Sequence, residues 1–294
     1  MAEHQHWGVE ALWQDLEPLL PGMSIEVLAR AESTNTALLE RVRGESRTHS
    51  SFEPSPYGRR AHDLQPCLLV AEHQTHGRGR MGRSWHAAPG ASLTFSLSLP
   101  LAPADWSGLS LVVGCAVADA LEPLEAGSDA APRLQLKWPN DIWLDGRKLG
   151  GILIETVPAG AQRVVVVGVG LNIHASDPQG QVGGEQPHYN TGYASLSELD
   201  ARYTAPAVLA RIARPLIRAL LDFPQGGFAA WEQAYARRDY LKGRQITAGA
   251  QEGLAQGVNA QGELLLQTAA GPQAVVSGEV SVRLAGAAPQ DGGR

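Results

Sequence analysis

Between Leu134 and Ile173 the chain fits β-like stretches LQLKW, IWL, GILIE and RVVVVGVGLNI behind turns too short to hold a helix. Parallel neighbours need a crossover of about a dozen residues or more, so strands this closely spaced pair antiparallel. The sheet is therefore expected to be antiparallel or mixed, not a succession of βαβ units. Upstream, Ile25, Val27 and Ala29 alternate with polar residues, Cys67–Ala71 is a short apolar run, and Leu93, Phe95, Leu97 and Leu99 alternate cleanly. All three read as strands. Helical spacing appears in the first 23 residues (Trp7, Leu12, Leu16, Leu19, Leu20) and across 108–124, with further helices expected around 194–200, 206–222 and 227–238.

From Tyr240 the texture changes to short β-like pieces between glycine turns, with no helical period. This predicts a small β-barrel, and at roughly 150 residues per domain a chain of 294 residues has room for about two domains. The expected division is 1–238, 239–285 and a disordered tail over 286–294. Residues 44–66 and 175–192, rich in glycine and polar residues, read as surface loops. No apolar run approaches the ~20 residues of a membrane span, and MAEHQHWGVE lacks the start of a signal peptide. Two cysteines, Cys67 and Cys115, are too few for a disulfide framework or a multi-cysteine zinc site, so reduced thiols in the cytoplasm are expected. A net charge of −6 gives no footprint for nucleic acid.

Gly77-Arg78-Gly79-Arg80-Met81-Gly82 matches the dinucleotide spacing G-x-G-x-x-G, yet a strand follows where that mechanism needs a helix N-terminus. The stretch instead carries Arg78, Arg80 and Arg83 on a glycine frame. Guanidinium forks bind phosphate and carboxylate, and such a loop can close over an anionic ligand; alone, it would sooner be read as a solvated arginine-rich turn, a preference that the rest of the chain reverses. Lys137 ends an apolar strand beside Trp138-Pro139-Asn140-Asp141, as an anion-binding group or as a lysine snorkelling past Trp138. Gly150-Gly151 and Gly168-Val169-Gly170 put glycine where strand side chains normally stand, marking either close approach of a ligand or a bulge. Ser33-Thr34-Asn35 lies at a strand-to-helix turn, where such residues also serve simply as caps. His73, His76 and His86 flank the loop without a metal-ligand spacing, and no metal site is expected.

In order and nearly end to end, these segments resemble the biotin protein ligases, which attach biotin to acetyl-CoA carboxylase and related carboxylases. Ser33-Thr34-Asn35 resembles the family's STN, Gln74 with Gly77 to Trp85 its Q-x-x-G-R-G-R-x-G-R-x-W loop, and Lys137 to Asp141 its KWPND. Lys148 to Glu155 is similar to its K-L-x-G-I-L-x-E, Gly168 to Asn172 to its G-x-G-x-N, and Gly278-Glu279-Val280-Ser281-Val282-Arg283 to its G-E-x-S-x-R close. The resemblance implies an α+β fold: a mixed-sheet catalytic domain related to class II aminoacyl-tRNA synthetases, with a C-terminal SH3-like barrel. Only about 24 residues precede the first sheet strand, too few for a three-helix DNA-binding module, so a monofunctional type is expected. The 44–66 and 175–192 stretches look longer than the family usually needs.

The implied chemistry is ATP-dependent. Biotin's carboxylate attacks the α-phosphate to give biotinyl-5′-AMP, and a lysine of the biotin carboxyl carrier protein then displaces AMP. Two anions must meet, which calls for fixed positive charge. Lys137 is expected to contact both carboxylate and α-phosphate; Arg78 and Arg80 close over the adenylate, Arg83 reaches phosphates, and Mg²⁺ accompanies ATP. Ser33, Thr34 and Gln74 supply partners for the ureido ring, with Asn35 and Gly79 in the same biotin set. Gly151 and Gly170 form a flat floor, Asn172 lies near adenine or ribose, and Trp85 stacks on adenine. Three rivals stand beside this reading. A lipoate-type ligase lacks the G-R-G-R loop; a non-catalytic biotin-binding regulator would need a DNA-binding module or loss of Lys137; an RNA-binding module is opposed by the net charge.

Overall fold

The computed structural model describes residues 5–44, 64–125, 130–175, 192–276 and 281–285. Its larger sheet contains β1 (Ser24–Leu28), β2 (Cys67–Ala71), β5 (Ser92–Pro100), β6 (Leu134–Lys137), β7 (Asp141–Leu144), β8 (Arg147–Ala159) and β9 (Gln162–Asn172), in the order β1-β2-β5-β9-β8-β7-β6. Among these strands β1 and β2 pair parallel and the other ladders are antiparallel, the mixed arrangement the short connections predict. The GILIE stretch extends into the 13-residue β8, which forms a long hairpin with β9. Between β2 and β5, β3 (Gly77–Arg78) and β4 (Ser84–Trp85) form a separate small hairpin.

Helices α3 (Leu109–Leu121) and α4 (Ala205–Gly226) cover one face of the sheet, joined by α1 (Val9–Leu16) and α5 (Glu232–Ala236). Helix α2 (Thr34–Arg43) lies on the other face, over Leu69, Val157, Val164 and Val166. This two-sided cover buries the polar alternates of β5, Ser92, Thr94, Ser96 and Ser98, along with its leucines. Hydroxyls buried in this way must find partners: Thr94 Oγ1 donates to Ala71 O (2.8 Å), Ser92 Oγ accepts from Ala88 N (3.2 Å), and Ser96 joins the site described below. The helix expected around 194–200 is a single 3-10 turn at Leu196–Glu198, closed by Ser195 and Glu198 in a capping box. That expected over 227–238 shrinks to a 3-10 turn at Ala229–Trp231 and α5.

The C-terminal strands β10 (Gln245–Ala248), β11 (Gln251–Val258), β12 (Leu264–Thr268), β13 (Gly271–Val275) and β14 (Val282–Leu284) make an antiparallel sheet ordered β13-β12-β11-β10-β14. It is fastened to the larger sheet. Leu136 N donates to Arg238 O (2.8 Å) and Tyr240 N to Leu136 O (3.0 Å), so residues 238–240 run beside β6. The buried Trp138 indole donates to Gly262 O across 2.9 Å. Gly278, Glu279 and Val280, the tail 286–294 and nearly all of the two long loops (45–63, 176–191) fall outside the described residues. Among the described residues no helix is long and apolar enough to cross a membrane. Cys67 and Cys115 are buried and free, and burial raises the Cys67 thiol to about 11.

Arg238 is fully buried; its guanidinium donates to Asp119 (2.8 Å), Glu122 (3.1 Å) and Leu134 O (2.8 Å). Removing one partner of such a cluster leaves the others desolvated. Arg238→Met should cost about 3 kcal/mol in urea denaturation, at the low end for a buried pair because Asp119 is partly exposed. A loss under about 1 kcal/mol would show that both carboxylates regain water in its absence.

Candidate functional site

The site lies on the α2 face, where that helix begins and glycines replace side chains. Register aligns Lys137 opposite Asp141, Asp141 opposite Gly151, Gly151 opposite Gly170, Gly170 opposite Thr94 and Thr94 opposite Ala71, one row across β6, β7, β8, β9, β5 and β2. The next row carries Leu153, Gly168 and Ser96, and the one beyond it Glu155, Val166 and Ser98. Because strand side chains alternate with a period of two, all of these share one face. Gly151 and Gly170 are thus adjacent in the floor, as the paired glycine motifs suggest.

At one end of the floor stands a buried polar network. Ser33 caps α2, its hydroxyl accepting from Thr36 N (3.4 Å). Thr34 N and Oγ1 both donate to Gln74 Oε1, at 2.7 and 3.1 Å. The Ser96 hydroxyl lies 2.6 Å from Thr34 Oγ1 and 2.5 Å from Asn35 Oδ1. Asn35 Nδ2 donates to Leu153 O (3.2 Å) and Glu155 Oε2 (3.0 Å). Ser33, Thr34, Asn35 and Gln74 therefore come together, as expected of a single pocket wall. Ser96 and Glu155 were missed as site residues; the hydroxyl alternation of β5 was the signal for the first.

At the other end cations gather around one carboxylate. Lys148 Nζ donates to Asp141 Oδ1 (2.7 Å), and Lys137 Nζ stands 4.8 Å over the centroid of Trp143. Burial holds Lys137 below the ordinary lysine pKa; Asp141 opposes that shift, while Lys148, Arg83 and Arg283 add to it. Burial likewise lowers Arg80, with Asp141 again opposing. Lys148 and Arg283 are additions to the expected set. Both belong to motifs visible in the sequence, but nothing in their spacing brings Arg283 back to a strand about 150 residues earlier.

Over the floor lies the β3–β4 hairpin, whose three arginines all have partners within the chain. Arg78 pairs with Glu155 (3.0 Å), Arg80 donates to Asn140 Oδ1 (3.2 Å), and Arg83 donates to Ser281 Oγ (3.0 Å). The Gly79 amide donates to Arg83 O (2.7 Å), closing the turn, and Met81 takes a left-handed φ of 57°. The Trp85 ring rests directly on Gly170: a Cβ there would lie 2.5 Å from Cε2. Its indole nitrogen is buried without a partner among the described residues. Asn172 follows Gly170 along the same face of β9, its amide donating to Ala194 O (3.1 Å), whose own amide donates to Lys148 O (2.8 Å). The assembly offers a hydrogen-bonding wall, a flat floor and a cationic end, matched to an elongated ligand that is polar at one end and anionic at the other.

The comparisons fit this geometry. The profile of the Biotin/lipoate A/B protein ligase family matches residues 61–172, and that of the Biotin protein ligase C terminal domain residues 243–283. The bifunctional ligase/repressor BirA of Escherichia coli is 33% identical over 273 residues, covering 90% of this chain and 76% of that protein. The biotin–[acetyl-CoA-carboxylase] ligase of Mycobacterium tuberculosis is 32% identical, covering 87% of this chain and 88% of that one. The Aquifex aeolicus biotin protein ligase, solved with biotin and ATP, superposes with a TM-score of 0.64 at 25% identity, covering 89% of this chain and 99% of that one. The chain belongs to the biotin protein ligase family.

The floor glycines differ in what a methyl group would meet. At Gly168 a Cβ would collide with Asn35 Oδ1, and at Gly170 with Trp85, whereas at Gly151 the nearest atom is Asp141 Oδ1 at 3.6 Å. Gly168→Ala should therefore cost about 1–3 kcal/mol by displacing the Asn35 network. Gly151→Ala should leave thermal stability within about 0.5 kcal/mol of wild type. Equal losses at both positions in thermal melts would show that floor rigidity, not the contact with Asn35, sets the cost.

Proposed function

We propose that this chain joins biotin to a lysine of the biotin carboxyl carrier protein of acetyl-CoA carboxylase at the expense of ATP, through biotinyl-5′-AMP. The observation that carries the reading is the cationic end of the floor: Lys148 bonds Asp141, whose charge also acts on Lys137 and Arg80, and Arg83 and Arg283 lie close enough to Lys137 to act on it in turn. Bringing a carboxylate against a triphosphate needs such fixed charge in place before reaction. A biotin carboxylate oxygen would form the bond to the α-phosphorus as pyrophosphate leaves. The carrier lysine, as free amine, would then attack the acyl carbon, forming the amide and releasing AMP.

In this scheme Ser33, Thr34, Asn35 and Gln74 hold the ureido ring, Gly151 leaves the floor open to the bicyclic rings while Gly170 makes room for the Trp85 ring beside them, and Arg78, Gly79 and Arg80 close over the adenylate. Arg83 and Asn172 contact ATP, with Trp85 as a stacking surface for adenine. Mg²⁺ fits best as an ion carried by the phosphates and water, because Asp141, the carboxylate at this end, is committed to Lys148. Residues 1–238 serve as the catalytic domain and 239–285 as the C-terminal domain. Free buried thiols support a cytoplasmic setting, and the net charge opposes a nucleic-acid partner. Incubation with biotin, ATP-Mg²⁺ and apo-carrier should add the mass of one biotinyl group to the carrier. No adduct, or preferential transfer of lipoate, would sink the assignment.

Lys137 is assigned the contact with carboxylate and α-phosphate. A second reading rests on Lys148, whose Nζ lies 3.8 Å from the Cβ position of Gly151 and thus directly at the floor. Lys137→Met should lower adenylate formation by ~10²–10³, with part of the second step recovered when pre-made biotinyl-AMP is supplied. If Lys148→Met shows that loss and Lys137→Met does not, the roles are exchanged. Stability separates charge from packing. A lysine whose folded pKa is depressed binds fewer protons folded than unfolded, so it destabilises at neutral pH and ceases to do so as pH rises towards 10.5. Lys137→Met should match or exceed the wild-type melting temperature at pH 7, with any advantage shrinking at alkaline pH.

Arg80→Ala should keep the fold and speed escape of biotinyl-AMP during turnover, measured as free adenylate. Retention equal to wild type would make Arg80 a framework residue tied to Asn140.

A further inference from the structure

The β3–β4 hairpin consists of two pairs of residues, Gly77 with Trp85 and Arg78 with Ser84. A ribbon that short has little stability of its own and must be held from outside. One anchor comes from the sheet beneath it. Glu155, on the floor face of β8, accepts from Arg78 Nη2 at Oε1 (3.0 Å) and from Arg78 Nη1 at Oε2 (3.3 Å). The same Oε2 accepts from Asn35 Nδ2 (3.0 Å), and Arg78 Nη1 also reaches Thr36 Oγ1 (3.3 Å). One carboxylate thus ties together the first turn of α2, the hairpin and the sheet. It uses both oxygens, which a neutral amide cannot do.

We propose that Glu155 is a positioning residue, a latch that fixes the Gly/Arg hairpin over the glycine floor by holding Arg78. What the hairpin closes over rests on the ligase reading; the latch itself rests only on these contacts. Charge is the essential property, because the pair is half exposed and a glutamine side chain in its place would keep the shape and a single acceptor oxygen.

Hydrogen exchange on the ligand-free full chain tests this, with the Gly79 and Arg83 amides as reporters, since both close the hairpin turn through backbone bonds. Glu155→Gln should speed their exchange by about threefold to tenfold and leave α4 unchanged. High salt should speed the same amides in wild type, by screening the pair, and leave the variant unaffected. Arg78→Met should produce a similar increase, and the double variant no more than either single one. Unchanged exchange at Gly79 and Arg83, or an increase spread evenly through α4, would overturn the latch. A wild-type protein that fails to biotinylate its carrier would defeat the ligase reading while leaving the exchange result standing.

Discussion

The β8–β9 register is the constraint on which the site depends. Gly151 opposite Gly170 puts two missing side chains side by side, and the neighbouring ladders extend that row to Lys137 on one side and Thr94 on the other. A slip of one residue would turn Gly168, Gly170 and Asn172 to the α3 face and present Val167, Val169 and Leu171 in their place. The long valine run of β9, apolar on both faces, tolerates either setting locally. What discriminates is the pattern at its end: Trp85 needs the space above Gly170, Asn35 the space above Gly168, and α3 needs the apolar face. Site and fold are specified by the same contacts.

Much of this was legible in the sequence because it is local. Short connections forced antiparallel pairing over 134–173, and Ser33 capping α2 followed from a polar trio between a strand and a helix. Glycine pairs marked a floor because strand glycines need an external reason. The less legible features depend on tertiary partners. Leu93 to Leu99 alternates like a strand with one wet face, yet α2 covers the other face, and Ser96 becomes part of the polar wall. The partners of the hairpin arginines are invisible in the local sequence, because Glu155, Asn140 and Ser281 lie 60 to 198 residues away along the chain. Arg283 entered the site only through the C-terminal sheet. Composition and period carry no information about such distant pairings.

That C-terminal sheet is more than an appendage. Its connection runs beside β6 through Arg238 and Tyr240, its β11–β12 turn accepts the Trp138 indole, and Ser281 meets the hairpin. All three contacts bear on the cationic end of the floor: Trp138 follows Lys137 directly, and Arg83 acts on it electrostatically. A strand edge left open would let Lys137 shift with the fraying backbone. Pairing that edge with residues 238–240 holds the lysine in place while leaving its ammonium facing the floor.

Asp141 explains how so many cations coexist before an anion arrives. It is the direct cross-strand neighbour of Lys137, the position from which an ion pair would normally form. Instead it bonds Lys148, and Lys137 rests against the Trp143 ring. Had both lysines paired with carboxylates, an incoming phosphate would have to displace one of them. Had neither, the repulsion among Lys137, Lys148, Arg83 and Arg283 would press against the fold; these cations already add to the lowering of the Lys137 pKa that burial causes. One carboxylate among several cations is a compromise between these limits. It steadies the cluster yet leaves a net positive field, whose repulsive energy is relieved when a polyanion binds. In the proposed scheme, the same arrangement that weakens the empty protein is the one that would favour two negatively charged groups meeting above Gly151.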